Sequence, residues 1–157
     1  EYMIKIAASV AKYFIERDIS LEIIAHTGEI VHIPFNKGPE HLEDILRFLA
    51  IAQPESSVNL SEIFEEFSVH IPSDSSLIVI MSDTDEDCLP ALLSLEKRNV
   101  SPVPLILVSS SFVSGPAQQG TIKDIEMRFP RISDFTPIFF FCGDNLEEAF
   151  LSISSSR

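Results

Sequence analysis

A run of oxygen-bearing side chains at residues 82–87, Ser-Asp-Thr-Asp-Glu-Asp, directly follows the apolar segment Leu77–Met81. Carboxylates and hydroxyls in this position could bind a hard cation such as Mg²⁺, because these are the ligands that the ion prefers. The alternative is structural: Asp85 or Asp87 caps the following helix, and the other acids complement its dipole. The run follows the carboxyl end of a predicted buried strand, where open α/β sheets place their ligands, and this position makes it the first candidate site.

Two known sequence motifs can be compared with the acidic run at residues 82–87. An EF-hand is excluded, because Cys88 stands where that loop needs glycine and Ser94 where it needs glutamate. The Asp83-x-Asp85 spacing after an apolar strand resembles the nucleophile motif of haloacid-dehalogenase-type phosphatases, with Asp83 as nucleophile and Asp85 as acid or base. Later motifs of that family would fall on Ser109 or Ser110, Lys123, and Gly143-Asp144 with Glu147 or Glu148.

Other catalytic signatures are absent from the sequence. It has no Gly-x-Ser-x-Gly elbow, no glycine-rich phosphate loop and no Gly-x-Gly-x-x-Gly motif. Cys88, beside three carboxylates, is expected to be a poor thiolate, and Cys142, after a Phe-rich segment, is expected to pack as a small apolar residue. Neither cysteine is therefore a good candidate nucleophile.

The four histidines give no metal-binding pattern. His26 and His32 flank a turn without a Cys or carboxylate at metal spacing, so we expect them on the solvent side of strands rather than on zinc. His41 and His70 have no assigned role. We predict no catalytic residue, and no cofactor beyond a Mg²⁺ ion at Asp83.

Composition limits the class of protein. The 157 residues are 45% hydrophobic and 22% charged, which is typical of a globular domain, and we predict a single domain over residues 1–157. The formal charge of −13 repels phosphate backbones, which excludes nucleic acid as a partner. No apolar run has the length of a membrane span. Two cysteines in 157 residues indicate a reducing, cytoplasmic setting.

The sequence pattern from Glu1 to about Asn59 predicts helices on either side of a β-hairpin. Apolar residues at helical spacing predict a helix over Glu1–Arg17. Leu21–Ala25 and Ile30–Pro34 predict an antiparallel pair joined by a turn at Gly28. Pro39 predicts the start of a second helix, and Asn59, as N-cap, predicts the start of a third.

The sequence pattern from Leu77 onward predicts a parallel sheet. Leu77–Met81, Val103–Val108 and Ile138–Phe141 are continuous apolar runs of strand length, which indicate strands covered on both faces. Core packing therefore explains the three phenylalanines at 139–141 better than a binding surface does. Helices are expected over residues 89–98 and 145–153, and a long crossover over 109–137 contains one short helix at Thr121–Phe129. The fold class is α/β, a three-layer Rossmann-like sandwich with a mostly parallel sheet.

The order of these elements resembles the bacterial family called domain of unknown function 58, which is similar to von Willebrand factor A domains and whose genes lie beside MoxR-type AAA+ ATPases. The resemblance rests on the hairpin around Gly28 and on five segments: EYMIKIAASVA at 1–11, IPFNKGPEHLEDILRFLA at 33–50, VNLSEIF at 58–64, LIVIMSD at 77–83 and CGDNLEEAF at 142–150.

The resemblance implies a degenerate metal-ion-dependent adhesion site. Asp83 matches the distal Asp of that site, whereas Val58 falls where the family often has Thr and offers no oxygen ligand. The Asp-x-Ser-x-Ser loop would lie before Glu1. The sequence also opens with Glu-Tyr-Met, already helix-like and without an initiator Met, so we interpret the chain as part of a longer protein. Where that protein is anchored in a membrane, this segment would lie on the cytoplasmic side.

The resemblance also implies a sheet with one antiparallel edge strand, and it implies that the first central strand, between the strands at Leu21 and Leu77, is missing from this chain. Unpaired backbone groups at this gap would favour self-association. We predict a non-enzymatic protein-interaction module that works with a MoxR-type ATPase. Its partner-binding surface comprises Asn59, Ser82, Asp83, Asp85 and Asp87.

Overall fold

The computed structural model describes residues 1–53, 58–114, 119–129, 137–146 and 148. The chain divides into two compact units, Glu1–Val58 and Asn59–Arg157. Together they contain a two-stranded antiparallel sheet and a three-stranded parallel sheet, so the predicted mixed α/β class is confirmed and is compatible with a Rossmann-like arrangement. Within the described ranges, no helix has the length and apolarity needed to cross a membrane.

The first unit contains two helices and a hairpin. Its elements are α1 (Tyr2–Ile15), β1 (Leu21–His26), β2 (Ile30–Asn36) and α2 (Pro39–Ile51). Gly28 lies in the hairpin turn with φ of 88°, a backbone conformation that favours glycine, which confirms the predicted turn. α2 begins at Pro39, as predicted. The core of this unit joins α1 to α2 through Ala11, Ile15, Ile45 and Leu49.

The antiparallel pair forms a sheet of its own. β1 pairs with β2 from Leu21↔Asn36 to His26↔Ile30, and in the described residues neither strand pairs with the parallel sheet. The predicted mostly parallel sheet with one antiparallel edge strand is therefore not seen as a single sheet in the described residues. The hairpin is stabilised instead within its own unit, since Leu21, Ile23 and Ile33 pack against the α1–α2 core.

The second unit contains the parallel sheet. Its elements are α3 (Leu60–Phe67), β3 (Ser76–Ser82), α4 (Leu89–Glu96), β4 (Ser101–Leu107), α5 (Ser109–Ser114), α6 (Gln119–Arg128) and β5 (Ile138–Phe140). Short 3-10 turns follow α3 at Ser68–His70 and precede α4 at Glu86–Cys88. The strand order is β3-β4-β5, with Ser82 opposite Leu107 and Leu107 opposite Phe140.

The core of the second unit confirms burial on both faces for β4, in which Pro104–Leu107 are buried in succession. In β3 only the alternate residues Val79 and Met81 are buried, and in β5 only Phe140 is. The sheet packs against helices through a cluster that includes Phe64 of α3, Leu92 and Leu95 of α4, and Ile125 of α6. At the C-terminal end of α6, Ile125 and the following Phe129 are buried, whereas Met127 is exposed.

The connection after β4 differs from the prediction. A short helix near Thr121–Phe129 is confirmed as α6, which begins two residues earlier. α5 was not predicted, because Ser109–Ser114 is a serine-rich segment of the kind that usually forms a loop. The helix predicted over Asn145–Ile153 lies mostly outside the described residues.

Candidate functional site

The ends of β3 and β4 bring the first candidate residues together. The Asp83 N–H donates to the Leu107 carbonyl at 2.9 Å, which extends the parallel ladder one residue beyond Ser82. α5 begins two residues after Leu107, at Ser109. Because neighbouring parallel strands end at the same edge of the sheet, Asp83 and Ser109 lie side by side although 26 residues separate them.

Asp83 is a buried carboxylate that accepts hydrogen bonds from its own chain. The Ser109 N–H donates to Asp83 Oδ1 at 2.9 Å, and the Ser109 hydroxyl donates to the same oxygen. The Ser82 hydroxyl lies 3.3 Å from that oxygen. With only 5% of its surface exposed, Asp83 joins the ends of β3 and β4.

Arg128, in the last turn of α6, adds a third element to this site. Its guanidinium donates to the Asp83 carbonyl at 3.2 Å and to the Glu86 carboxylate, and it lies 3.9 Å from Asp83 Oδ2. The side chain is 41% exposed, so each of these charge contacts is weakened by solvent. Arg128 nevertheless ties the acidic loop to α6 over more than 40 residues of sequence.

The remaining acids of the loop are held in place without capping α4. Asp85 Oδ2 accepts from the Ser82 N–H at 2.8 Å, which turns the chain back on itself after β3. The exposed Asp87 accepts from the Ser61 hydroxyl at 2.7 Å and so links the loop to α3. The N-cap of α4 is Cys88, with no side-chain cap hydrogen bond. Asp85 stands at the N-cap position of the 3-10 turn that leads into α4, but its side chain makes no cap hydrogen bond, so the predicted cap is confirmed in position only.

The predicted partner-binding residues occupy two parts of one unit. Ser82, Asp83 and Asp85 are linked by hydrogen bonds at the end of β3, and Asp87 is exposed beside α3. Asn59 is exposed and occupies the N-cap position of α3, as predicted, but its side chain makes no cap hydrogen bond.

Two residues that the sequence did not assign to this surface complete it. In the sequence, Ser109 matches only a position of the phosphatase motifs, and no pattern assigns a role to Arg128. No local sequence pattern points to either contact, because both depend on how the strands and α6 pack.

The residues around Asp83 do not fit a divalent ion well. In the part of the chain that the structure describes, no group of three or more His, Cys, Asp and Glu side chains could hold a metal. Asp83 Oδ1 is surrounded by hydrogen-bond donors, and the Arg128 guanidinium beside Oδ2 would repel a cation. We therefore derive no chemistry through a metal at this site.

The positions assigned to the phosphatase motifs have other roles where the structure describes them. Ser109 bonds Asp83 directly, and Lys123 is exposed on α6. Asp144 Oδ2 accepts from the Phe141 N–H at 2.8 Å in the turn that follows β5. Glu147 lies outside the described residues. Asp83, as placed, offers little access for an incoming phosphorus atom.

Cys88 is an unreactive thiol and Cys142 is not buried. Burial, followed by the negative charges of Asp87 and Asp85, raises the pKa of Cys88 to about 12, which confirms the expected poor thiolate. Its sulfur lies 3.9 Å from that of Met81 in the core. Cys142 is exposed, so the expectation that it packs as an apolar residue is wrong.

The histidines of the first unit are more structural than the sequence indicated. His32 is exposed and lies 3.0 Å from a Glu22 carboxylate oxygen, as expected for a solvent-side strand residue. His26 is only partly exposed, and its Nδ1 is buried without a partner in the described residues. His41 is 3% exposed and its Nε2 lies 2.8 Å from the Leu21 carbonyl. Because a carbonyl only accepts, Nε2 carries the proton, and His41 joins α2 to β1.

Comparison with protein-family models, with curated proteins and with solved structures finds no match to this chain. The resemblance to domain of unknown function 58 therefore stays a prediction that rests on sequence pattern. The geometry around Asp83 stands independently of that resemblance.

Proposed function

We propose that this chain is a non-enzymatic protein-interaction module of a larger bacterial protein. The observation that carries the proposal is the way the loop after β3 is held. Hydrogen bonds tie it to β4 and to the start of α5 through Asp83, to α6 through Glu86 and to α3 through Asp87. A loop fixed at three points presents its carboxylates in one conformation, which lowers the entropic cost of binding a partner.

The expected partner is basic at its contact surface. The chain has a net charge of −13, and Asp85, Glu86 and Asp87 follow one another on this loop. Electrostatic complementarity of this kind increases the association rate and selects partners by charge. Asn59, Ser82, Asp83, Asp85 and Asp87 form the proposed surface. Within it, Asp83 positions the loop, and the more exposed acids make the contact.

The identity of the partner is proposed from the resemblance alone. A domain similar to the domain of unknown function 58 family is expected to work with a MoxR-type AAA+ ATPase. We also propose a von Willebrand factor A-like fold with a degenerate adhesion site. The supporting observation is the order β3-β4-β5, in which successive parallel strands add in one direction as in half of a doubly wound sheet.

Binding to the ATPase can be tested with charge-matched variants. Asp85→Asn with Asp87→Asn removes two charges from the proposed surface. Asp124→Asn with Glu126→Gln removes two exposed charges from α6. We expect the first pair to weaken binding of a purified MoxR-type ATPase in biolayer interferometry and the second pair to leave it nearly unchanged. Equal losses for both pairs, or no binding by the unmodified chain, would contradict the proposal.

The alternative, a Mg²⁺-dependent phosphatase with Asp83 as nucleophile and Asp85 as acid or base, makes a separate prediction. Such an enzyme would release phosphate from p-nitrophenyl phosphate and would lose that activity in Asp83→Asn. The burial of Asp83 and the donors on its Oδ1 favour the interaction module. We expect phosphate release no greater than that of the Asp83→Asn variant.

We also propose that the chain can self-associate through β3. This strand lies at one end of the order β3-β4-β5, and in the described residues it pairs with β4 only. It carries no proline or charged residue of the kind that protects edge strands. Sedimentation velocity at rising concentration should show association that Ile78→Lys reduces, whereas a folded monomer at every concentration would contradict this proposal.

A further inference from the structure

A groove on the second unit lies between α3 and the segment that contains the 86–88 turn and α4. It encloses about 340 Å³, which is at the small end of the range for ligand sites. Phe64, Pro90 and Ala91 contribute apolar surface, and Glu65 and Asp87 contribute carboxylates. The groove therefore combines an apolar lining with negative charge.

The carboxylates of this groove are exposed and oriented. Asp87 and Glu65 are both exposed, one from each side of the groove. The Ser61 hydroxyl donates to Asp87 Oδ2 at 2.7 Å and fixes the direction of that carboxylate. Arg98 donates to the carbonyls of Ser68 and Ile71 near one end of α3, and in the described residues it forms no ion pair with Glu65 or Asp87.

The sequence around the groove is strongly one-sided in charge. Residues 48–96, which include every residue that lines the groove, contain ten Asp and Glu but no Lys or Arg. This segregation is independent of the groove's shape. The segment that lines the groove therefore supplies no Lys or Arg of its own to neutralise Asp87 and Glu65, which favours a cationic ligand.

We infer that this groove binds an arginine side chain on an exposed segment of a partner protein, an inference that rests on the proposed interaction function. The guanidinium would pair with Asp87 and Glu65, and the aliphatic part of the side chain would pack along Phe64, Pro90 and Ala91. Arginine fits better than lysine, because its planar group forms paired hydrogen bonds with carboxylates and is more weakly hydrated. The partner's contact therefore extends beyond the end of β3 to the flank formed by α3 and α4.

The test uses a short fluorescein-labelled peptide, Gly-Ser-Arg-Leu-Arg-Ser-Gly, and the whole chain. Fluorescence anisotropy should show saturable binding, weaker binding of the peptide with lysine in place of arginine, and none with glutamate. Glu65→Gln with Asp87→Asn should weaken binding by about fivefold to tenfold, since each removes one charge pair. Glu62→Gln with Glu66→Gln, which removes two exposed charges of α3 that do not line the groove, should change it by less than about twofold.

Backbone amide shifts from a ¹⁵N-labelled chain locate the binding and separate the possible outcomes. Shifts at 61–68 and 87–94 on peptide addition support the inference. Shifts confined to 82–86 would overturn it while leaving the proposed function intact, and the absence of any shift would count against both. Equal weakening by the two double variants would show diffuse attraction to the net charge and would overturn it. Should Asp87→Asn disturb the fold, Glu65→Lys alone should abolish binding of the arginine peptide.

Discussion

Replacing Asp83 with alanine removes the acceptor on which the Ser109 N–H, the Ser109 hydroxyl and the Ser82 hydroxyl converge. A hydrogen bond to a charged group contributes roughly 1.5 to 3 kcal/mol. The two bonds from Ser109 have the better geometry, and their loss is partly offset because the variant no longer buries a carboxylate. The contact with Arg128 adds at most about 1 kcal/mol, since that side chain is 41% exposed.

We therefore expect Asp83→Ala to lower the free energy of unfolding by about 2 to 4 kcal/mol. In a chain of this length each kcal/mol corresponds to roughly 2 to 4 °C in Tm. Asp83→Asn, which keeps one acceptor oxygen, should fall between alanine and the unmodified chain. Urea unfolding followed by far-UV circular dichroism measures the change, because the chain has no tryptophan for fluorescence. Asp124→Asn, an exposed acid on α6, should stay within about 0.5 kcal/mol.

A double-mutant cycle with Ser109→Ala tests the specific contact. Because the backbone N–H of residue 109 remains, the cycle isolates the hydroxyl bond, and we expect a coupling energy of about 1 to 2 kcal/mol. Additive effects, or a loss below about 1 kcal/mol in Asp83→Ala, would refute the reasoning. Asp83 would then be a carboxylate not used for folding, as a metal ligand or a nucleophile would be.

Three further predictions concern other groups. Thiol titration should label Cys142 but not Cys88 in the native state and both in urea. Because the pKa of Cys88 is raised to about 12 by folding, from about 8.5 in the unfolded chain, its contribution to stability is complete below pH 8.5 and falls as pH rises toward 12, a slope that Cys88→Ala should lack. His41→Ala should destabilise the chain by about 1 to 3 kcal/mol, because it leaves the Leu21 carbonyl without its donor, and no change in Tm would contradict this role. Millimolar Mg²⁺ or Mn²⁺ should give no rise in Tm that depends on Asp83, whereas a bound ion at 100 times its Kd would add about 2.7 kcal/mol.

The elements that the sequence predicted correctly are those specified by local chemistry. Gly28 supplies the positive φ of the hairpin turn, and Pro39 fits the first turn of α2. The apolar run at β4 matches a parallel strand buried on both faces, because side chains on both faces need apolar neighbours, and the run at β3 predicts a strand of which alternate residues are buried. Each of these signals is complete within a few residues.

The features that the sequence did not predict depend on contacts between distant segments. In α5, Ser111 is 1% exposed, its hydroxyl donates to the Val108 carbonyl, and it accepts from the Cys142 N–H after β5. The buried hydrogen bonds of the Ser111 hydroxyl therefore stabilise a helix in this serine-rich segment. The sequence likewise gives no role for His41, because the carbonyl that accepts its hydrogen bond belongs to Leu21, 20 residues earlier in the chain.

The contacts that the acidic side chains make in the folded structure change where a partner is expected to bind. Open α/β sheets place ligands at the carboxyl ends of their strands, which made Asp83 the first candidate from sequence. The carboxylate of Asp83 accepts hydrogen bonds from Ser109, and the carboxylate of Glu86 is paired with Arg128, so both acids stabilise the loop itself. Asp87, by contrast, is exposed and is oriented by a neutral hydroxyl, so its charge is not neutralised by that contact. The charge available to a partner is therefore displaced from the strand end toward the flank formed by α3 and α4, where the groove lies.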